Sequence, residues 1–220
     1  MNDHDSHDSH EEHGNHEERD QHDGHDHHDH HGEHDQHDGH DHHEEHDQHD
    51  GHDHHDHHSH DVETLGVGVV TVSSSRSIDE DDAGDAIVAA FEDGGHEVTV
   101  RELVADDFDG VQSTVNRLVD RDDVDAVVTS GGTGVTPDDV TVEAVEDLAG
   151  KTLPGFGELF RRLSADEIGT RVVATRATAG IVDSTPVCCL PGSENAVRLG
   201  VEEILLAELP HLAGLAGREN

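Results

Sequence analysis

The stretch VVTSGGTGVTPDDVT, residues 127–141, decides how the chain is read. An apolar run ends in Thr129-Ser130, the chain turns through Gly131, Gly132 and Gly134, and Pro137 and a pair of aspartates follow at once. Glycines between a strand and a helix let backbone N–H groups approach a ligand, and the positive end of the helix beyond them favours an anion. A Walker loop would need GxxxxGK[ST], and a dinucleotide fold would need GxGxxG with a ribose-binding acid further on. Neither pattern is here, so nothing supports a Walker lysine or a nicotinamide cofactor.

The same strand-then-helix alternation extends on both sides. TLGVGVVTVS (residues 64–73) is a continuous valine-rich run, as expected of a strand covered on both faces. A helix is expected over about 79–93, ending at Gly94-Gly95, then a strand at HEVTVRELV, a helix over 109–121, the strand DAVVTS and a helix over 138–148. A helix around 157–164, a strand at TPVCCLP and a last helix over about 194–209 complete the pattern. Such alternation with short connections predicts an α/β fold, a mostly parallel sheet with helices on both faces. Ligands in these folds bind beyond the carboxyl ends of the strands. Residues 73–77, 105–107 and 130–139 are therefore expected to converge.

The N-terminal part, residues 1–61, is of a different kind. Of 26 histidines, 24 precede Asp61, and QHDGHDHH recurs at 21–28, 36–43 and 48–55. With almost no large apolar residue, this stretch is expected to be a disordered low-complexity tail. Its imidazoles and carboxylates suit Ni²⁺, Zn²⁺ or Co²⁺, or else only solvate the chain. Residues 62–220 are expected to form one domain. From Asp61 onward there are 32 acidic and 11 basic side chains, a net of −21. That balance argues against nucleic acid and anionic membrane as partners, because both are bound through clustered Lys and Arg. It suits a salt-loving cytoplasm, where screening removes self-repulsion. The acidic N-terminus lacks the apolar core of a secretion signal, which points to a cytoplasmic protein. Adjacent Cys188 and Cys189 would face opposite sides of a strand as buried small hydrophobes.

Around the glycine loop, Thr136 reads as an N-cap, Pro137 as the first helical residue and Asp139 as a capping-box acid. A second reading gives Asp139 chemistry with the aspartates of VADD, Asp106 and Asp107: carboxylates beside phosphate-binding amides are tolerable when Mg²⁺ lies between. Arg176 is an anion contact or an ordinary surface arginine, and Ser193 an N-cap or a ligand contact. Glu158 is most simply a solvated helix acid, and His96 and His211 packing residues.

Four ordered blocks, TSGGTGVTPDDVT, LPGFGELFRRLSADEIGT, TRATAG and LPGSENAVRL, resemble the MoaB/MogA family of molybdenum cofactor biosynthesis proteins over residues 64–212. The resemblance implies a three-layer α/β/α sandwich, commonly trimeric or hexameric, that adenylylates molybdopterin with ATP and Mg²⁺ and releases pyrophosphate. It implies Asp106 and Asp139 as catalytic and Mg²⁺-holding residues. Ser73, Gly131, Gly132, Thr133, Gly134, Arg176, Pro191, Gly192 and Ser193 would bind nucleotide or pterin. It leaves room for a molybdate-insertion enzyme as partner, and for a non-catalytic alternative that binds molybdopterin or handles metal through the tail. The chain departs from the family pattern in three places: Asp138 where an arginine is usual, Ser73-Ser74-Ser75 where Ser-Asp-Ser or Ser-Asp-Thr is usual, and Thr175 opening its block.

Overall fold

The computed structural model describes residues 61–218, so the expectations for residues 1–60 lie outside the described residues. Strand β1 (Gly66–Val72) leads to helix α1 (Asp82–Asp93), β2 (Glu97–Val104), α2 (Phe108–Val119) and β3 (Ala126–Ser130). Then come α3 (Thr141–Leu148), β4 (Lys151–Thr152), α4 (Pro154–Ile168), β5 (Thr178–Val182) and β6 (Thr185–Leu190). The chain closes with α5 (Glu194–Gly200), a π-helical segment (Val201–Leu205) and α6 (Leu206–Ala216). The sheet order is β2-β1-β3-β6-β5-β4. β2, β1, β3 and β6 run parallel, whereas β5 and β4 are antiparallel additions at one edge.

Strand alternation sorts the apolar side chains into two cores, one on each face of the sheet. Val67, Val69, Val128, Cys188 and Leu190 pack with Ile87 and Phe91 of α1, Phe156 and Phe160 of α4, Val197 of α5 and Leu209 of α6. Val70, Val72, Val127, Val187 and Cys189 pack with Val111, Val115 and Leu118 of α2 and Ala144 and Val145 of α3. The result is the expected α/β/α layering. Adjacent Cys188 and Cys189 do fall in opposite cores, and burial pushes the Cys189 thiol up to about 12, which leaves it inert.

The helix boundaries differ from the sequence reading in instructive ways. α1 starts at Asp82, after a short 3-10 turn at Ile78–Glu80, because Asp81 takes the cap. α3 starts at Thr141 with Val140 as its cap residue, so Thr136, Pro137 and Asp139 belong to a separate turn before it. α4 runs through Ile168. The last helical run continues to Ala216, past Pro210, with Leu206 N–H reaching back to Val201 O through the wider π turn. Pro210 has no N–H to give, and its carbonyl instead accepts from Val62 N–H at 3.1 Å, tying the first described residues to the domain. β4 and β5 were not expected. β5 starts in the last three residues of the TRATAG block, and a tight turn with positive φ at Asp183 and Ser184 folds it back onto β6.

Candidate functional site

Because β1 sits between β2 and β3, the connections leaving β1 and β3 diverge, and a crevice opens above their carboxyl ends. The expected convergence is present on its first side. Ser74 N–H donates to Asp106 Oδ2 at 2.6 Å, and Asp106 N–H donates back to Ser74 Oγ at 3.1 Å. This reciprocal pair locks the loop after β1 to the loop after β2. Ser73 Oγ lies 3.5 Å from Ser75 Oγ and accepts from Ser75 N–H at 3.4 Å, so the serine triplet is folded on itself. From the same loop, Arg76 Nη1 donates to Gly192 O at 3.1 Å, reaching the turn after β6.

The glycine loop forms the second side. Gly131 and Gly132 have φ of 99° and 64°, a region that L side chains rarely enter. A Cβ on Gly131 would collide with the Val72 carbonyl oxygen, and one on Gly132 with Thr141 Oγ1. The close approach to β1 requires glycine at 131, and the approach to the start of α3 requires it at 132. Gly131 N–H is already given to Leu190 O at 3.0 Å, and Gly132 O accepts from Thr141 N–H at 3.0 Å. The N–H groups of Gly132 and Thr133 have no acceptor among the described residues. Gly192 packs against Gly131, which closes the crevice on the β6 side.

Asp139 makes the bonds of a capping acid, but to its own turn and not to a helix. Its Oδ2 accepts from Thr136 N–H at 2.7 Å and from Thr136 Oγ1 at 2.6 Å, while Asp139 N–H donates to Thr136 O at 3.0 Å. Burial alone would raise its carboxyl; the Thr136 and Gly134 hydrogen bonds and the nearby Arg176 outweigh that and hold it below the ordinary carboxylate range. Arg176 is neither a loose surface group nor an open anion contact. Its Nε donates to Gly134 O at 2.6 Å, Nη2 to Asp139 O at 2.9 Å, and Nη1 pairs with Glu143, while its backbone N–H donates to Thr133 O at 3.1 Å. One guanidinium thus fastens the whole glycine loop to α3.

Ser193 is the N-cap of α5, accepting from Ala196 N–H at 3.4 Å. With Pro191, Thr175, Phe160 and Ser164 it lines a groove of about 490 Å³ beside the crevice. Glu158 lines a separate groove with Arg161 and Arg176. His96 accepts from Leu65 N–H at 3.2 Å and leans on the Phe91 ring, and burial lowers its pKa; His211 pairs with Asp61 at 2.8 Å. Both histidines pack the fold, as expected. Among the described residues no group of three or more His, Cys, Asp or Glu side chains is placed to hold a metal ion.

Sequence reasoning missed the corner beneath Arg76. Asp81 is fully buried, accepting from Thr71 Oγ1 at 2.6 Å, Gly84 N–H at 3.0 Å and Arg101 Nη2 at 3.1 Å. Burial pulls its carboxyl upward, and these hydrogen bonds more than offset it, leaving the group below the ordinary range. The signal was available as an acid three residues before Gly84 at a helix start. A Cβ at Gly84 would collide with the Asp81 carboxylate, so the spacing is required. The partner Arg101, on β2, could be paired with it only in three dimensions.

Comparison with known proteins adds to this geometry. Residues 68–211 match the family described as "Probable molybdopterin binding domain". The chain is 40% identical over 145 residues to Molybdenum cofactor biosynthesis protein B of Bacillus subtilis, covering 66% of this chain and 85% of that protein. A crystal structure of a molybdenum cofactor biosynthesis protein B superposes with a TM-score of 0.69 at 39% identity, over 71% of this chain and 98% of that one. The tungsten cofactor synthesizing protein MoaB from Pyrococcus furiosus superposes with a TM-score of 0.64 at 37% identity, over 71% and 99%.

Proposed function

The chain belongs to the family described as a probable molybdopterin binding domain, and from that membership we propose that it serves molybdenum or tungsten cofactor biosynthesis by adenylylating molybdopterin with ATP. In the reaction, an oxygen of the molybdopterin phosphate attacks the α-phosphorus of ATP. A new P–O bond forms as the bond to the β-phosphate breaks, and pyrophosphate leaves with the electron pair.

The observation that carries this reading is that unspent amides on the loop after β3 and a carboxylate with a free oxygen on the loop after β2 both follow the carboxyl ends of the parallel strands that flank β1. Gly132 and Thr133 offer N–H groups to phosphate oxygens, and the loop that bears them is prevented from relaxing by Arg176. Asp106 has one oxygen fixed by Ser74 N–H, while Oδ1 has no partner among the described residues. This donor set fits Mg²⁺, which is commonly held by one or two carboxylates together with substrate phosphates and water. Asp106 and Asp139 are the residues that would hold it. When bound, the ion neutralises phosphate charge during the transfer. Asp139 also keeps the 136–139 turn closed.

Assayed in high salt, the full-length protein is expected to release pyrophosphate from ATP only when molybdopterin and Mg²⁺ are both present. Asp106→Asn should lower turnover by about 100-fold or more with an unchanged melting temperature. Wild-type protein that binds both substrates and releases no pyrophosphate would defeat the proposal.

A further inference from the structure

An acidic domain that binds a polyanion needs a cation at the ligand, and the three crevice loops together with the 191–193 turn contain a single basic side chain, Arg76. Other arginines near the crevice are committed. Arg176 places Nε, Nη1 and Nη2 on Gly134 O, Glu143 and Asp139 O, and Arg101 divides its two terminal nitrogens between Asp85 at 2.5 Å and Asp81 at 3.1 Å. Arg76 differs. Its side chain is 40% exposed, Nη1 makes one hydrogen bond, to Gly192 O, and the nearest carboxylate oxygen, Asp81 Oδ1, is 3.9 Å away. That carboxylate is already satisfied by Thr71, Gly84 and Arg101. A guanidinium has five N–H donors in a planar fork suited to phosphate, so most of those of Arg76 remain for a ligand.

A second observation lies beneath the same corner. Ser130 is fully buried, and its Oγ has no hydrogen-bond partner among the described residues. In the β1–β3 register Ser130 stands opposite Thr71, so both side chains leave the same face of the sheet, the face on which Thr71 meets Asp81. An unsatisfied buried hydroxyl costs free energy unless something fills its need.

The geometry points to Arg76 as the phosphate-binding cation of the crevice, held against Gly192 O and over Asp81 so that its remaining donors face the ligand. This rests on the reading of the crevice as a phosphate site, but not on adenylyl transfer itself.

Calorimetric titration of the full-length protein with inorganic pyrophosphate, in high salt with Mg²⁺, tests it. Arg76→Gln should raise the Kd by at least about tenfold, and Arg76→Lys should recover part of the loss. In the turnover assay a raised KM for ATP would assign the contact to the nucleotide, and a raised KM for molybdopterin to the pterin phosphate. A lowered melting temperature with unchanged Kd and KM values would make Arg76 only a strap between loops and overturn the inference, as would failure of the wild type to bind pyrophosphate. Arginine-dependent pyrophosphate binding without turnover would sustain the inference while defeating the adenylyltransferase reading.

Discussion

Asp81 and Asp139 carry the same chemistry in similar local sequence, each near the start of a helix and each near an arginine, yet they have become different devices. Asp81 lies inside the fold, with both carboxylate oxygens bonded and with Arg101 on the carboxylate itself. Asp139 bonds to its own turn, and Arg176 reaches its backbone carbonyl and that of Gly134. At Asp81 the arginine completes a buried ion pair that organises the entrance to α1. At Asp139 it braces the glycine loop through two backbone carbonyls. What separates the two is which groups surround the carboxylate, since both are held below the ordinary carboxylate range.

The sharpest way to break the comparison is to remove the buried member. Asp81→Ala should destabilise the domain by about 3 kcal/mol, since it strips Arg101 of its inner partner and uncaps α1. Denaturant unfolding in constant high salt measures it. The pH dependence follows from the lowered folded pKa of Asp81. Its stabilisation is present above the ordinary aspartate value near about 3.9 and is lost as pH falls through the folded value. The gap between wild type and Asp81→Ala is therefore full at neutral pH and closes in strong acid. A smaller effect is expected on the other side of the comparison: Gly131→Ala forces a side chain into φ 99° and against Val72 O. The expected cost is about 2 kcal/mol, with faster amide exchange at Gly131 as its bond to Leu190 O loosens. The smallest is Ser193→Ala, which removes a simple exposed cap and should cost about 1 kcal/mol. If Ser193→Ala matched Asp81→Ala, the distinction between a buried keystone and an ordinary cap would fail.

The glycine loop shows how much of the site was legible and where legibility ended. Strand, turn and helix were apparent in residues 127–141, because valines without polar alternation signal a two-sided strand and glycines mark a close approach. Thr136 and Asp139 satisfied a capping pattern, and one of its two bonds forms, Thr136 N–H to the Asp139 carboxylate, while Asp139 N–H goes to the Thr136 carbonyl instead of its hydroxyl. They close an isolated turn, however, because α3 begins only at Thr141, whose N–H is taken by Gly132 O. A local pattern states which groups can bond and leaves open whether a helix follows. Arg176 was undecidable for a related reason. Its partners Gly134, Asp139 and Glu143 lie more than thirty residues earlier and meet it only because β5 folds back antiparallel onto β6.

By itself the sequence determined the α/β alternation, the paired cores, the opposed burial of Cys188 and Cys189 and the meeting of the loops after β1 and β2. Each follows from side-chain periodicity and from the geometry of parallel strands. Only the tertiary structure decided which arginine bonds which carboxylate, that Gly131 N–H is spent on Leu190 O while those of Gly132 and Thr133 remain, and that Arg76 stands at the crevice with donors to spare. Those choices turn on distances of a few ångströms between residues far apart in the chain, and electrostatic and hydrogen-bond energies are set at that scale.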